Sequence, residues 1–461
     1  MKKTLMLWLF LTLVEITIQQ RFKLPEVTLE ALKTGEVRVY IPNRDGIKKF
    51  SFHANVQTEI VRSEPGQYKN ETKAGDDFWV LTFNVPNLSK DQNISYWYSV
   101  IANRVVYVTD GGWTVEELKD FYEPLKDPEC KTSVTVVSGG QSSCIGWPIL
   151  DDNFNGPTVD TSKWFIHHKI PTYSPPNFEF NSYLNQDDTR FFKDGVLYLK
   201  PIPFTDDREV RGVLNLTDKC TSSNPKECLY IHKSSFLLPP VKSAKITSKL
   251  SFKYGKIEIK AKLPSGDWIV PIIELEDRTE TDGESFPKVW IAYSRGNKLL
   301  KSEGPDDLGS HWLYSGPVIN SMEPTRSKFL KSKHGENPFS NDFHIYKLEW
   351  IPGKMIFYVD NEVYGDISTE TGFAEFSMDV RSDWTKPEAP YNREYVLSLG
   401  VAVGGLFDFP DGYNSDNDIK PWENSDRHYI SRFFSGRNAW MKTWHGDDVA
   451  LQVDYVRITA L

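Results

Sequence analysis

FKYGKIEIKAKLPSGDW, residues 252–268, decides the architecture. Within it Ile257, Ile259 and Ala261 alternate with Lys256, Glu258, Lys260 and Lys262. A period of two sends successive side chains to opposite faces, so this is a strand with one face in a core and the other in water. Working outward, the alternation recurs in VLYLKP (196–201), SAKITSKLSF (243–252), KVWIAYS (288–294), FHIYKLEWIP (343–352), KMIFYVD (354–360), YVLSLGVAVGG (395–405) and ALQVDYVRI (450–458). Very little of this half reads as helix. So many strands from residue 147 to 461 predict a large two-sheet, concanavalin-like jelly roll with a cleft on its concave face.

The N-terminal part is also strand-dominated. EVRVYIP (36–42) sets Val37, Val39 and Ile41 against Glu36, Arg38 and Tyr40. IKKFSFHANV (47–56) and FWVLTFNV (78–85) repeat the pattern, and ISYWYSVIANRVVYV (94–108) reads as a hairpin turning near Ala102-Asn103-Arg104. About ninety such residues predict an immunoglobulin-like β-sandwich over 21–112. WTVEELKDFYEPLK (113–126) has helical spacing at Leu118, Phe121, Tyr122 and Leu125, and TSVTVVSGGQSSC (132–144) has linker composition, so 113–146 is expected to join two domains. The expected class is all-β.

A chain of 461 residues suits two or three domains, and 39% hydrophobic with 25% charged residues suits a soluble globular protein. The formal charge of -9 and the lack of a long basic run exclude a nucleic-acid partner, which needs clustered Lys and Arg. Residues 1–20 have the layout of a secretory signal peptide: Lys2 and Lys3, then an apolar run from Leu5 to Val14 ended by Glu15. No A-x-A triplet marks cleavage before Arg21, no later stretch is apolar for long enough to span a bilayer, and no C-terminal anchor signal is visible. The expected location is extracellular. Cys130, Cys144, Cys220 and Cys228 then predict two disulfides. Three connectivities are open; the local pairs Cys130–Cys144 and Cys220–Cys228 close the shorter loops. Their spacing is not that of a metal site, and no cofactor is expected. Sequons at Asn70, Asn87, Asn93 and Asn215 are candidate glycosylation sites.

The second domain resembles the laminarinase-like glycoside hydrolases along its length. NFNGPTVDTSKW (153–164), the 252–268 segment, FHIYKLEW, VAVGGLFDFPDGYN (401–414) and ALQVDYVRI occur in the expected order. The N-terminal domain resembles the glucan-binding module of insect β-1,3-glucan recognition proteins, also called Gram-negative bacteria-binding proteins. LPEVTLEAL, VRVYIPNRDGIKKFSFHANV, YWYSVI and WTV carry that likeness.

Retaining glycosidases need two carboxyl groups about 5–5.5 Å apart. Active laminarinase-like enzymes place them as E-x-D-x-x-E on one strand, where a bulge brings the last Glu onto the face of the first two. The resemblance fixes the register here through Ser294-Arg295-Gly296-Asn297, which puts Lys288, Trp290 and Tyr293 at the Glu, Asp and Glu positions. Lys has the wrong charge and Trp does not titrate. Glu274, Glu276, Asp277 and Glu280 form a nearby acidic run with a different spacing, E-x-E-x-x-x-E, expected to be an exposed connector.

The resemblance implies sugar contacts at Trp79 and Asp45 in the first domain and at Trp268, Trp290, Tyr293 and Asn297 in the second, with His344 and Trp350 also near the cleft. The same residue types serve in cores and turns: Asp45 precedes Gly46, a turn signal. The implied function is a secreted, non-hydrolytic pattern-recognition protein of innate immunity. It would bind microbial β-1,3-glucan or a related envelope polysaccharide and signal to a serine-protease cascade. The alternatives are a protein-binding scaffold without sugar affinity and an active β-1,3-glucanase.

Overall fold

The computed structural model describes residues 22–44, 46–72, 78–119, 130–171, 179–232, 236–277, 287–302, 307–376, 382–416 and 418–461. The expected signal peptide, Asp45 and Glu280 lie outside the described residues. The chain divides into two compact units, Met1–Cys130 and Lys131–Leu461.

The first unit has seven strands: β1 (Thr28–Ala31), β2 (Glu36–Pro42), β3 (Ile47–Val56), β4 (Tyr68–Thr72), β5 (Phe78–Asn84), β6 (Asn93–Ala102) and β7 (Val105–Thr114). They form antiparallel sheets in the orders β1-β2-β5 and β4-β3-β6-β7. The inward phase of each strand supplies one core: Val37, Val39 and Ile41 from β2, Phe50 and Phe52 from β3, Trp79 and Leu81 from β5, and Ile94, Tyr98 and Val100 from β6. This is the sandwich that alternation predicts. Asn103 and Arg104 take the left-handed conformation in the β6–β7 turn, as a two-residue hairpin loop requires.

The second unit stacks an eight-stranded sheet on a ten-stranded one. The first contains the Gly255–Lys262, His344–Ile351, Lys354–Val359 and Leu451–Thr459 strands; the second contains Ile269–Asp277, Lys288–Tyr293, Trp312–Val318 and Tyr395–Val403. Between them Ile257, Ile259, Leu348 and Phe357 meet Ile273, Leu275, Val289, Leu397 and Leu399. The far face of the ten-stranded sheet is also covered. Trp268, Val270, Ile272, Val318 and Ala402 pack there against Phe180, Phe409, Trp422, Phe433 and Trp440. Ile269–Asp277 is therefore buried on both faces along nearly its whole length.

The expected linker is different. Trp113 lies on β7, and Val115 is in the first core, so that unit continues past residue 112. Thr132–Val137 and Gln141–Cys144 are strands of the second unit; the former pairs with Phe252–Lys253. SVTVV is rich in β-branched residues, and its polar members find partners: Ser133 donates to the Leu461 carbonyl, and Ser143 to that of Thr135. Of the expected helix, 120–129 lies outside the described residues. Cys220 and Cys228 are joined, Cys130 and Cys144 are disulfide-bonded as well, and none of the four is free. Among the described residues no helix is long and apolar enough to cross a membrane.

Candidate functional site

The strand Lys288–Tyr293 and its neighbour Ile269–Asp277 build the site. In their antiparallel register Glu274 faces Trp290, and Glu276 faces Lys288. Val289, Ile291 and Ala292 enter the inter-sheet core, while Trp290 and Tyr293 belong to the cluster on the far face. Strict alternation would send Trp290 and Tyr293 to opposite faces. A register shift between them, against Trp312–Val318, returns Tyr293 to the face of Trp290.

Two buried polar clusters occupy that face. In the first, the Lys288 ammonium lies 2.8 Å from Glu274 Oε1 and 4.0 Å from Glu276 Oε1. Lys245 donates to Glu276 at 2.6 Å, and Ser398 Oγ donates to its other oxygen at 2.5 Å. The hydroxyls of Ser398 and Thr247 are 2.8 Å apart, and His167 Nε2 is 2.8 Å from Thr247. Burial pushes the Glu274 carboxyl up, and the Glu276 charge adds to that; the lysines only partly offset it. Burial acts on Glu276 too, but Lys245 and Lys288 outweigh it and hold that carboxyl well below the usual range. Burial likewise raises Glu179, whose carboxylate accepts from Tyr183. Burial keeps His167 well below its ordinary value.

In the second cluster Trp290 and Tyr293 stack with ring centroids 3.9 Å apart and planes 4° apart. The Arg326 guanidinium sits 5.0 Å from the Trp290 ring centroid. Tyr293 donates to Asp408 Oδ1 at 2.9 Å, Arg326 reaches the same oxygen at 2.5 Å, and Arg295 Nε donates to the Asp408 carbonyl at 2.5 Å. Burial raises the Tyr293 phenol, which therefore stays protonated. Glu274, Glu276 and Asp408 are all ion-paired, and a paired, desolvated carboxylate is poorly placed to exchange a proton with a substrate. What the arrangement does well is fix two strands to each other and close the face above them. Among the described residues no group of three or more His, Cys, Asp and Glu is placed to hold a metal.

The residues expected to touch sugar require correction. Trp79 is 1% exposed in the first core, and its Nε1 donates to Asn43 Oδ1 at 2.8 Å. Trp268 is buried in the far-face cluster. Asn297 is buried too, donating to Asp267 Oδ1 at 3.1 Å and accepting from the Trp268 amide at 3.2 Å. Trp290 is 7% exposed, with Tyr293 covering one ring face. Stacking on a sugar needs an open ring face, and none of these four aromatic side chains offers one. Trp350 is inter-sheet core, and His344 bonds Asp360 at 2.6 Å. Glu274 and Glu276, expected on an exposed connector, instead sit mid-sheet against Lys288 and Lys245. The four sequon asparagines are exposed, with Asn215 in an Asx turn that Thr217 closes.

Sequence reasoning missed Lys245, Glu179, Arg326 and Asp408. Each is far from the Lys288 strand along the chain. The available signal was charge in otherwise apolar strands: Lys245 in SAKITS and Glu274 in IIELED.

The CBM39 family model, described as carbohydrate binding domain (family 32), matches residues 23–133. Beta-1,3-glucan-binding protein of Hyphantria cunea is 34% identical, with 96% of both chains covered. Beta-1,3-glucan-binding protein 1 of Galleria mellonella is 31% identical over 95% of this chain and 96% of its own. Gram-negative bacteria-binding protein 1 of Drosophila melanogaster is 30% identical over 95% and 96%. Among solved structures, the laminarinase of Rhodothermus marinus is 18% identical with a TM-score of 0.43, covering 68% of this chain and 97% of its own. With relatives at this identity matched almost end to end, the chain belongs to the family of β-1,3-glucan-binding and Gram-negative bacteria-binding proteins.

Proposed function

We propose that the chain is a secreted, non-hydrolytic recognition protein for microbial β-1,3-glucan or a related envelope polysaccharide. The observation that carries this reading is the closed face of the ten-stranded sheet. Lys288, Trp290 and Tyr293 stand where the laminarinase resemblance expects Glu, Asp and Glu, and they are tied into buried ion and stacking contacts. A glycosidase needs one carboxylic acid and one carboxylate flanking an open cleft. Here Glu274, Glu276 and Asp408 are held by lysines and an arginine. The carbohydrate-binding family of the first unit supports the ligand class, and the relatives' names support β-1,3-glucan in particular. A serine-protease cascade partner belongs to the same reading.

The second reading is a protein-binding scaffold. The burial of Trp79, Trp268, Trp290 and Tyr293 favours it, since the expected sugar platforms are packed inside the protein. A pull-down of the purified protein on insoluble β-1,3-glucan, chitin, peptidoglycan and whole microbes separates the two, with reducing ends assayed on soluble laminarin. Retention on glucan without sugar release is expected. Release of sugar would overturn the non-hydrolytic reading, and retention on nothing would leave the scaffold.

A further inference from the structure

Val213–Asn215 and Leu229–Ile231 form a two-stranded antiparallel ladder in the second unit, with Val213 opposite Ile231, Leu214 opposite Tyr230 and Asn215 opposite Leu229. The ladder runs on at both ends. The Leu216 amide donates to the Cys228 carbonyl at 2.8 Å, and the His232 amide donates to that of Gly212 at 2.8 Å. The Cys220–Cys228 disulfide pins the loop between the strands. A period of two separates the faces. Leu214 and Tyr230 pack inward with Ile170, Leu184 and Leu216. Val213, Asn215, Leu229 and Ile231 share the other face, and it is open: Val213 is 60% exposed, Ile231 51% and Leu229 40%.

Covering these three side chains is favourable at about 25 cal/mol per Å² of apolar surface removed from water. They fall far short of the roughly 800 Å² per partner that a stable protein interface needs, so a second copy of the chain fits them poorly. The fourth member of the face is different in kind. Asn215 heads the sequon Asn215-Leu216-Thr217. Its Oδ1 accepts from the Thr217 amide at 3.1 Å and from Thr217 Oγ1 at 2.7 Å. The carbonyl end of the side-chain amide is thereby held, and Nδ2 is the end left to react. Asn70 differs, since its Nδ2 donates to the Thr82 carbonyl at 3.2 Å. Directly opposed residues of a ladder have Cβ atoms about 4.5–5.5 Å apart, so a group bonded to Asn215 Nδ2 rises beside Leu229 and over Val213.

We propose that Asn215 carries an N-linked glycan whose first N-acetylglucosamine units cover Val213, Leu229 and Ile231, so that the sugar is part of the packing of this hairpin. In the transfer, Asn215 Nδ2 attacks C1 of the first sugar of a polyprenyl-pyrophosphate-linked oligosaccharide. The N–C1 bond forms, the C1–O bond to pyrophosphate breaks, the pyrophosphate leaves with the electron pair, and one amide proton is released. The ring CH groups and the acetyl methyl then lie on the apolar side chains, while the sugar hydroxyls stay in water. The proposal rests on the secreted part of the reading above, because N-linked transfer takes place in the secretory pathway.

The test is expression of the full chain in a eukaryotic secretory host, with peptide mass spectrometry for occupancy, and hydrophobic-interaction chromatography and thermal melting of the protein from the medium. Occupancy of Asn215 is expected. Asn215→Gln should lengthen retention on the hydrophobic column and lower Tm by about 1–2 °C. Val213→Thr with Ile231→Thr keeps β-branched side chains at exposed positions, so the pair should fold, and its melting curve checks this. In that background Asn215→Gln should shift retention and Tm by less than half as much, because the glycan has lost the apolar face it covers. Equal shifts in both backgrounds would overturn the proposal. A glycosylated chain that dimerises until the two threonines are introduced would assign the face to a second copy instead, and would overturn it as well. Asn215 unoccupied in chain recovered from the medium would sink the proposal alone, whereas an unaltered chain that never reaches the medium would sink the secreted reading with it.

Discussion

Replacing Lys288 by Met removes one charge from a buried ion cluster of the second unit and keeps most of the side-chain volume. Lys288 and Glu274 are each 4% exposed, 2.8 Å apart. Glu276 keeps Lys245 at 2.6 Å, so the uncompensated charge falls on Glu274. Breaking a buried pair from one side costs about 3–5 kcal/mol. Unfolding entropy is about 2.1 cal/mol/K per residue, so the roughly 330 residues of Lys131–Leu461 give about 0.7 kcal/mol/K and a Tm drop of about 4–7 °C. The sign of the pH dependence follows from Glu274. Burial already raises its folded pKa, and losing Lys288 raises it further. A carboxyl raised on folding binds more protons folded than unfolded, so stability falls as pH rises through the interval between the two values. The deficit of Lys288→Met should therefore be full at pH 8 and shrink toward pH 5. Near-ultraviolet circular dichroism follows the transition through the buried tryptophans. Adding Glu274→Gln should recover at least half of the loss. A Tm within about 1 °C of the unaltered protein, or a deficit that widens on acidification, would refute the reasoning.

Burial raises the Asp267 carboxyl to about 6, against hydrogen bonds from Ser415 and Asn297. Its contribution to stability should decline between about pH 4 and pH 6 as it ionises, and Asp267→Asn should flatten that part of the stability–pH curve, measured by urea unfolding. Trp79→Ala should destabilise the first unit by about 3–5 kcal/mol as a core truncation, while Trp79→Phe should keep any glucan retention; loss of retention by a stably folded Phe variant would make Trp79 a contact residue. Opening the Cys220–Cys228 loop, eight residues in sequence separation, with Cys220→Ser and Cys228→Ser together should cost about 2–3 kcal/mol, read by thermal unfolding with and without reductant.

The two sandwiches were legible because their strands carry period-two alternation, and alternation is a local property. KIEIKAK shows one apolar face and becomes a strand of the eight-stranded sheet with alternating burial. The segment IVPIIELED was read as a connector in its acidic part because charge in a short run is usually solvated. Its register against Lys288–Tyr293 and the reach of Lys245 decide otherwise, and both are set by pairing between residues distant in sequence. The burial of Trp79, Trp268, Trp290 and Tyr293, expected to touch sugar, was hidden from the sequence for a related reason. Residue type marks Trp79 and Trp268 as aromatic, but whether a ring lines a core or a groove depends on its phase in the strand. Trp79 is in phase with Leu81 and faces the core, whereas Trp97 is out of phase with Tyr98 and Val100 and lies in an outer groove.

The arrangement around Lys288 also accounts for the survival of the strand. A lysine substituted alone into a sheet buried on both faces would be an unpaired charge in a dry interior, which folding does not tolerate. Glu274 and Glu276 lie on the adjacent strand, on the same face and directly across the ladder from Trp290 and Lys288. They convert Lys288 from a liability into a crosslink between neighbouring strands, and Lys245 brings the second carboxylate its own cation. The carboxylates beside Lys288 stand on the neighbouring strand, and with two lysines among them they are ionic ties. Lys288→Glu should accordingly be worse than Lys288→Met: it places a third acid beside Glu274 and Glu276 with only Lys245 to balance them. A Lys288→Glu variant that melts above Lys288→Met would show that these acids are not held by Lys288 and would remove the ground for treating the face as closed.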